Sequence, residues 1–233
     1  MNVKNCLIVL LSYYLIGVAL PVAQAQDADA AEILAAARLN PLGTPIALEA
    51  RLRKGSESVP FRIVVEDGKV SYEFSGRTII LEPKENEISL SERIGGKTAP
   101  VRSARFDEKI QGTDISYEDI ALRFLYWRDA KVTGTDTINT RKCWVLEIQA
   151  YGGSTQYGVV RVWIDQASGA LMRMDGFNRD GKLIRRFSVV SAQPIDGQWM
   201  LKQMRVESFA PETRKTTSRT YLEVLGKVLR SEK

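Results

Sequence analysis

The stretch VPFRIVVEDGKVSYEFSGRTIILEP, residues 59–83, contains three short runs of alternating apolar and polar residues, separated by Asp67-Gly68 and Ser75-Gly76. A period of two is typical of a β-strand that buries one face. Asp-Gly and Ser-Gly between such runs favour tight antiparallel turns. The stretch therefore predicts three consecutive strands of an antiparallel meander.

The same pattern continues on both sides of this stretch. Further turn signals occur at Lys54-Gly55-Ser56, Pro83–Asn86 and Gly95-Gly96. In the second half we predict strands over Lys142–Ala150, Tyr157–Asp165, Ala170–Phe177, Lys182–Ala192, Gln198–Phe209 and Thr213–Leu225. About ten or eleven strands without βαβ spacing predict a mainly β fold, a large and strongly curved antiparallel sheet with helices on one face.

Two segments have the period of a helix instead. Asp27–Leu39 places Ile33, Leu34 and Ala37 on one face, and Asn40-Pro41 would end that helix. A second, short helix is predicted after Ser116, because Asp119 follows three residues later in the pattern of a capping box. We expect these short helices to cover one face of the sheet.

The first 25 residues have the features of a secretory signal: Lys4, a mostly apolar run from Leu7 to Leu20, and Ala23-Gln24-Ala25 before a cleavage site at Gln26. The alternative is an uncleaved anchor, although the run is shorter than the ~20 residues of a membrane span. We expect residues 26–233 to form one domain in the periplasm.

Composition excludes several kinds of active site. The chain has no histidine, which excludes Ser-His-Asp and Cys-His catalysis and imidazole metal sites. Cys143 is the one cysteine after the leader, and its place in a strand favours a buried, inert thiol. We therefore expect no cofactor and no metal. The formal net charge is only +5, with acidic and basic residues interleaved, so we expect no nucleic-acid partner.

The densest group of carboxylates is Asp114, Glu118 and Asp119. Paired carboxylates can perform acid–base chemistry, so an enzyme acting on envelope polymers, with Asp114 and Glu118 as the pair, stays an alternative. The spacing fits a helix N-terminus better, and we predict that the protein is not an enzyme. Three other carboxylates are predicted to be turn formers, namely Asp165, Asp175 and Asp180.

Apolar residues are more numerous on the predicted strands than two short helices can cover. A sheet with such a face favours a hydrophobic cleft, and methionine suits irregular apolar ligands. The candidate lining residues are Phe61, Tyr72, Phe74, Trp144, Leu146, Val160, Val162, Met172, Met174, Met200 and Met204. The alternative is that these residues simply form the core.

Gly112–Ile120, with the sequence GTDISYEDI, resembles the GTDFSYEDL segment of outer-membrane lipoprotein-sorting proteins of the LolA/LolB-like superfamily. The resemblance extends to about Val206 through Cys143–Glu147, Val162–Asp165 and Asp180–Leu183. It implies a LolA-like half-barrel whose apolar concave face, under a lid of helices, accepts acyl chains. It implies no catalytic residue.

The function expected from these observations is that of a periplasmic carrier, a monomer that holds a lipid or an acylated lipoprotein during outer-membrane lipoprotein sorting. The envelope export machinery would be a further partner. The alternative is a structural or interaction protein of the envelope that uses the sheet as a docking surface. Strand alternation also places Trp163 on the face opposite Val160, Val162 and Ile164. There it would lie under a terminal segment or stack on Arg161 or Arg173.

Overall fold

Thirteen strands form one antiparallel sheet in the computed structural model, which describes residues 29–39 and 45–228. The strands are β1 (Ile46–Lys54), β2 (Glu57–Glu66), β3 (Lys69–Phe74), β4 (Arg77–Pro83), β5 (Ile88–Ile94), β6 (Lys97–Pro100), β7 (Ala130–Ile138), β8 (Arg141–Gln149), β9 (Val159–Asp165), β10 (Leu171–Phe177), β11 (Leu183–Ile195), β12 (Gln198–Phe209) and β13 (Thr216–Lys227). The predicted leader and the helix-ending Asn40-Pro41 lie outside the described residues.

Neighbouring strands in the sheet are neighbours in the chain, with one exception. The order is β6-β5-β4-β3-β2-β1-β13-β12-β11-β10-β9-β8-β7, so β1 and β13 pair in the middle of the sheet. The free edges are β6 and β7, which follow one another in the chain. The predicted turns at residues 54–56, 66–68, 75–76, 83–86 and 95–96 all join consecutive strands as expected.

The sheet curves around a single apolar core. Leu81 and Leu90 near one edge belong to the same buried cluster as Leu146 and Val162 near the other edge, so the two halves of the sheet enclose it. A register-aligned row of this inner face runs across seven strands through Thr220, Val206, Phe187, Met174, Val162, Leu146 and Val132. The predicted mainly β, curved antiparallel fold is confirmed.

Two segments cover the inner face. The first is α1 (Ala30–Leu39), which begins where Asp29 Oδ1 accepts a hydrogen bond of 2.8 Å from the Ala31 amide, and which buries Leu34 and Ala37. The second is the cap segment, residues 101–127, which connects the two edge strands and contains α2 (Tyr117–Ile120) and three short 3₁₀ turns. No helix within residues 29–39 and 45–228 is long and apolar enough to cross a membrane.

Some strands differ from the sequence-based prediction. β7 was not predicted because only Ala130 and Val132 pack against the core and most of its other side chains are polar and exposed, the pattern of an edge strand. β-Bulges interrupt β10 after Leu171 and the β11–β12 pair between Val189 and Ala192. Each bulge adds an unpaired residue. It therefore interrupts the alternation of side chains between the inner and the outer face of the sheet, on which the prediction of inner residues depends.

Candidate functional site

The structure brings most of the predicted lining residues together on the inner face. Six are in the buried core, namely Phe61, Phe74, Leu146, Val160, Val162 and Met174. Three are partly buried and pack against it, namely Tyr72, Trp144 and Met204. Met172 and Met200 do not belong to this cluster, since Met172 is the extra residue of a bulge and Met200 lies beyond the bulges of the β11–β12 hairpin. As ligand contacts, all eleven residues stay predictions.

Trp144 lies in a cleft at the edge of the covered face. The cleft has a volume of about 420 Å³ and runs between α1 and the β9–β10 turn. Its walls are Glu32, Ile33 and Ala36 of the helix, Trp144 and Ile164 of the sheet, and residues 165–169 of the turn. An aromatic and two isoleucines beside a few polar groups suit the end of an apolar chain.

The helix that forms one wall of this cleft has few polar attachments. Arg38 Nε donates to the Leu125 carbonyl at 2.7 Å, its Nη1 donates to the Glu85 carbonyl at 3.2 Å, and its guanidinium lies 4.8 Å from the centre of the Tyr126 ring. At the turn, a Cβ on Gly169 would be an ordinary 3.6 Å from the Ala36 Cβ. Apart from Arg38, α1 is held mainly by apolar contacts of Leu34 and Ala37.

The cap segment is attached by buried charges instead. The Asp114 carboxylate accepts hydrogen bonds from Ser208, Ser218 and Thr220 of β12 and β13, and its amide donates to Thr220 Oγ1 at 2.9 Å. Burial by itself would raise the pKa of Asp114, but the three hydroxyl donors outweigh burial and the pKa is lowered. The carboxylate is thus kept ionised as an acceptor.

Tyr117 attaches the cap segment to the other half of the sheet, at β5. Its hydroxyl donates to the Glu92 carboxylate of β5, which Arg77 and Arg105 also approach, each at 3.1 Å. The Arg105 guanidinium lies 5.2 Å from the centre of the Tyr117 ring. Burial and the hydrogen bond to Glu92 raise the pKa of Tyr117 to about 12, so the phenol remains a donor.

The third attachment passes through Asp119. Ser116 and Asp119 form the predicted capping box of α2, with hydrogen bonds of 3.2 and 3.0 Å. The buried Tyr157 hydroxyl donates to Asp119, and Arg185 of β11 lies 3.6 Å from it. The ring of Tyr157 lies against Gly176, where an added Cβ would be only 2.3 Å from Cε1. Residues 114–119 therefore tie both halves of the curved sheet together.

Glu118 is the one residue of this group whose carboxylate is poorly compensated. Its side chain is completely buried, and Arg123 Nη1 lies 3.5 Å away. Burial raises its pKa to about 7, although Thr155, Arg123 and the Gln156 backbone oppose that shift. Asp114 and Glu118, the pair of the enzyme alternative, thus have different surroundings, and Asp114 is fully engaged with hydroxyls.

The outer face corrects one expectation and confirms two. Asp175 is not a turn residue; it lies within β10 and accepts paired hydrogen bonds from Arg173 and Arg186. Trp163 is on this face as predicted, under Arg173 at 4.5 Å. Cys143 is buried, which raises the pKa of its thiol. Within the described residues, no cluster of three or more metal-ligating side chains has the geometry of a metal site.

A family model described as "Uncharacterized protein" and marked "-like" matches residues 96–227, more than half of the chain. The chain belongs to that family. The matched region runs from the end of β5 to the end of β13, so it contains the whole cap segment. A search of curated protein sequences found no significant match.

Solved structures place the fold among known ones. A domain from Vibrio parahaemolyticus, described as an outer membrane lipoprotein-sorting protein, has a TM-score of 0.67 at 14% identity, covering 88% of this chain and 95% of that one. A LolA superfamily protein from Nitrosomonas europaea has a TM-score of 0.61 at 15% identity, covering 88% and 96%. A DUF1329 family protein from Desulfovibrio piger has a TM-score of 0.60 at 18% identity, covering 84% and 89%. The fold is LolA-like.

Proposed function

We propose that this protein is a periplasmic carrier that holds a lipid, or the acyl group of a lipoprotein, on the inner face of its sheet. The observation that carries the proposal is the cleft beside α1, in which Ile33, Trp144 and Ile164 form an apolar wall next to the buried inner face. The LolA-like fold and the apolar inner face support it. Within that fold we assign the protein to the branch with a GTDxSYED segment, acting in outer-membrane lipoprotein sorting.

In this proposal α1 is the lid. An acyl chain enters at Trp144 and extends toward Leu146 and Val162, which lie on the same face of β8 and β9. Each buried methylene contributes ~0.8 kcal/mol, so one chain gives micromolar binding without a charged anchor. The chain displaces Leu34 and Ala37 of α1, whose apolar contacts it replaces.

We propose a role without catalysis. Asp114, Tyr117 and Asp119 each make hydrogen bonds that hold the cap segment to the sheet, and this use of the motif accounts for its polar residues without a substrate. The partners we propose are a lipid or acylated lipoprotein and the envelope export machinery. We propose that the protein binds them as a monomer, after its leader has been removed.

Native mass spectrometry with an envelope lipid extract tests the proposal. We expect a bound species that carries one or more acyl chains, and we expect Trp144→Ala to weaken its binding more than it weakens folding. Trp163→Ala is the matched control, because this tryptophan lies on the outer face; it should lower stability by up to ~3–5 kcal/mol and leave lipid affinity per folded molecule nearly unchanged. Equal loss of binding in both variants, or no lipid bound at all, would contradict the proposal.

A reversible lock tests the lid itself. Cysteines at Ala36→Cys and Gly169→Cys have the Cβ separation of a disulfide, since the ideal distance is 3.6 Å. Gly169 has a positive φ of 70°, so the substitution is mildly strained, and each single-cysteine variant is the control. We expect oxidation to block uptake of a fluorescent fatty acid and reduction to restore it. Unchanged uptake in the oxidised double variant would show that α1 is not the lid.

A further inference from the structure

The outer face carries a row of alternating charges that the sequence does not reveal. Seven adjacent strands, from β13 to β7, each place one charged residue at the same level of the register. In order across the sheet they are Arg219, Glu207, Arg186, Asp175, Arg161, Glu147 and Lys131. Cross-strand pairs of opposite charge stabilise a sheet modestly, which accounts for the alternation.

The neighbouring row contains cations without intervening carboxylates. Arg53, Arg205 and Arg173 occupy it on β1, β12 and β10, with Tyr221 and Ser188 between them. Together the two rows give one arginine on each of six consecutive strands. We call this set the arginine band, comprising Arg53, Arg219, Arg205, Arg186, Arg173 and Arg161. At ~4.8 Å per strand it extends about 24 Å across the sheet.

Carboxylates lie deep within the band and cations lie at its surface. The side chains of Glu207 and Asp175 are each only 6% exposed, and that of Glu223 is 10% exposed. By contrast the side chains of the six arginines are 27–53% exposed. The charge presented to solvent is therefore positive, although each of the six arginines has an acidic partner.

Each of the three deep carboxylates is shared by two arginines. Arg51 and Arg53 bind Glu223 at 2.5 and 2.9 Å. Arg205 and Arg219 bind Glu207 at 3.2 and 2.7 Å, and Arg173 and Arg186 bind Asp175 at 2.6 and 2.7 Å. Every such group has a net charge of +1.

Aromatic rings hold several of these guanidiniums in place. Arg53 lies 4.5 Å from the centre of the Tyr221 ring, and Arg186 lies 5.5 Å from that of Phe209. A guanidinium has five N–H donors, and a carboxylate uses two of them at most in these pairs. The remaining donors are fixed in position and available to oxygen atoms outside the protein.

We propose that the arginine band is a docking surface for the anionic face of a lipid bilayer. Each guanidinium already has a carboxylate partner, so its contact with one further anion is weak. High affinity therefore requires many such contacts at the same time. The band is an extended array and not a pocket, which fits a plane of closely spaced phosphates better than one small anion. The band and such a plane are complementary in charge, and this complementarity does not depend on the proposed cargo.

Sedimentation with vesicles that contain no lipoprotein tests whether the arginine band binds a bilayer. The purified protein, its N-terminus identified by mass spectrometry, is mixed with phosphatidylcholine vesicles with and without phosphatidylglycerol, at low and at high salt. We expect binding only with phosphatidylglycerol, and loss of it at high salt. Binding to neutral vesicles measures any insertion that is independent of charge.

The decisive variant neutralises one arginine of each group: Arg53→Gln, Arg173→Gln and Arg205→Gln. Arg51, Arg186 and Arg219 remain, so no deep carboxylate loses both partners. At roughly fivefold per charge, we expect affinity for anionic vesicles to fall on the order of 100-fold. A second triple within the band, Arg161→Gln, Arg186→Gln and Arg219→Gln, leaves Arg173 on Asp175 and Arg205 on Glu207. It should weaken binding similarly and serves if the first variant folds poorly.

The matched control removes the same net charge elsewhere, at Lys69→Gln, Lys84→Gln and Lys97→Gln in β3, the β4–β5 turn and β6. We expect it to bind nearly as tightly as the parent protein. Equal weakening in the control would show that only net charge matters and would overturn a defined surface. If the protein does not bind vesicles that contain phosphatidylglycerol, the proposal is wrong, even if the protein binds an acidic protein instead.

Discussion

The two segments that cover the inner face are held in opposite ways. The cap segment is fixed by buried hydrogen bonds and ion pairs at Asp114, Tyr117 and Asp119, which reach both halves of the sheet. Helix α1 rests on apolar contacts and on Arg38. Separating buried charges from their partners is costly, whereas an acyl chain can replace apolar contacts at little cost. In the proposed function the cap maintains the curvature of the sheet, and α1 is the part that moves.

The largest expected effect comes from breaking the cap at Asp114. Asp114→Ala removes the acceptor of one buried hydroxyl, that of Thr220, and of two partly buried ones, those of Ser208 and Ser218. We expect a loss of about 3–5 kcal/mol in the free energy of unfolding, measured with urea. Asp180→Ala, which removes an exposed turn carboxylate, is the control and should change little. A loss below about 1 kcal/mol at Asp114 would mean that the cap is not held as described.

The next largest effect on stability is expected at the contact between Gly176 and Tyr157, beneath the cap segment. Gly176→Ala places a Cβ against the buried ring of Tyr157, and we expect a loss of about 3 kcal/mol and a lower melting temperature. Gly153→Ala is the matched control, since nothing lies within 4 Å of an added Cβ there. Similar melting temperatures for the two variants would show that Tyr157 is free to shift.

The cap also predicts a dependence on pH. The pKa of Glu118 is raised from 4.5 to about 7, so the folded protein holds its proton more tightly than the unfolded chain does. That stabilisation is complete below about pH 4.5 and is lost as the pH rises through about 7. Relative to the parent, Glu118→Gln should gain roughly 2–3 kcal/mol above pH 7. A constant difference between the two proteins from pH 5 to 8 would contradict the raised pKa.

The smallest effect on stability is expected at the lid. Arg38→Ala removes two hydrogen bonds to carbonyls and the contact with Tyr126, and we expect a cost of about 1 kcal/mol. Uptake of a fluorescent fatty acid should nevertheless become faster. Slower uptake, or a loss as large as that of Asp114→Ala, would remove the distinction between lid and cap.

Strand alternation and turn residues were sufficient to predict most of this fold. The inner positions of β2, β8 and β9 follow directly from the period of two, and so does the outward Trp163. The capping box at Ser116 and Asp119 was also readable, because its two partners are only three residues apart. These features depend on local sequence alone.

What the sequence could not show depends on register. The partners of Asp114 are about 100 residues away in the chain, and the alternating row of the outer face exists only when seven strands are aligned. Asp175 was predicted to be a turn former because it lies near the turn at residues 178–181. Its partner Arg186, on the next strand, becomes evident only when β10 and β11 are aligned. Bulges also moved Met172 and Met200 out of the predicted set.

The pairing of β1 with β13 has a consequence for how the chain reaches this structure. Arg53 and Glu223, joined across that pair, are 170 residues apart, so the centre of the sheet is the last part that synthesis can complete. Contacts of such long range are slow to form, because the ends of a long loop must first meet. A nascent chain that lacks β13 has β1 as an unpaired edge. The first half of the sheet therefore keeps this open edge until the residues of β13 have been made.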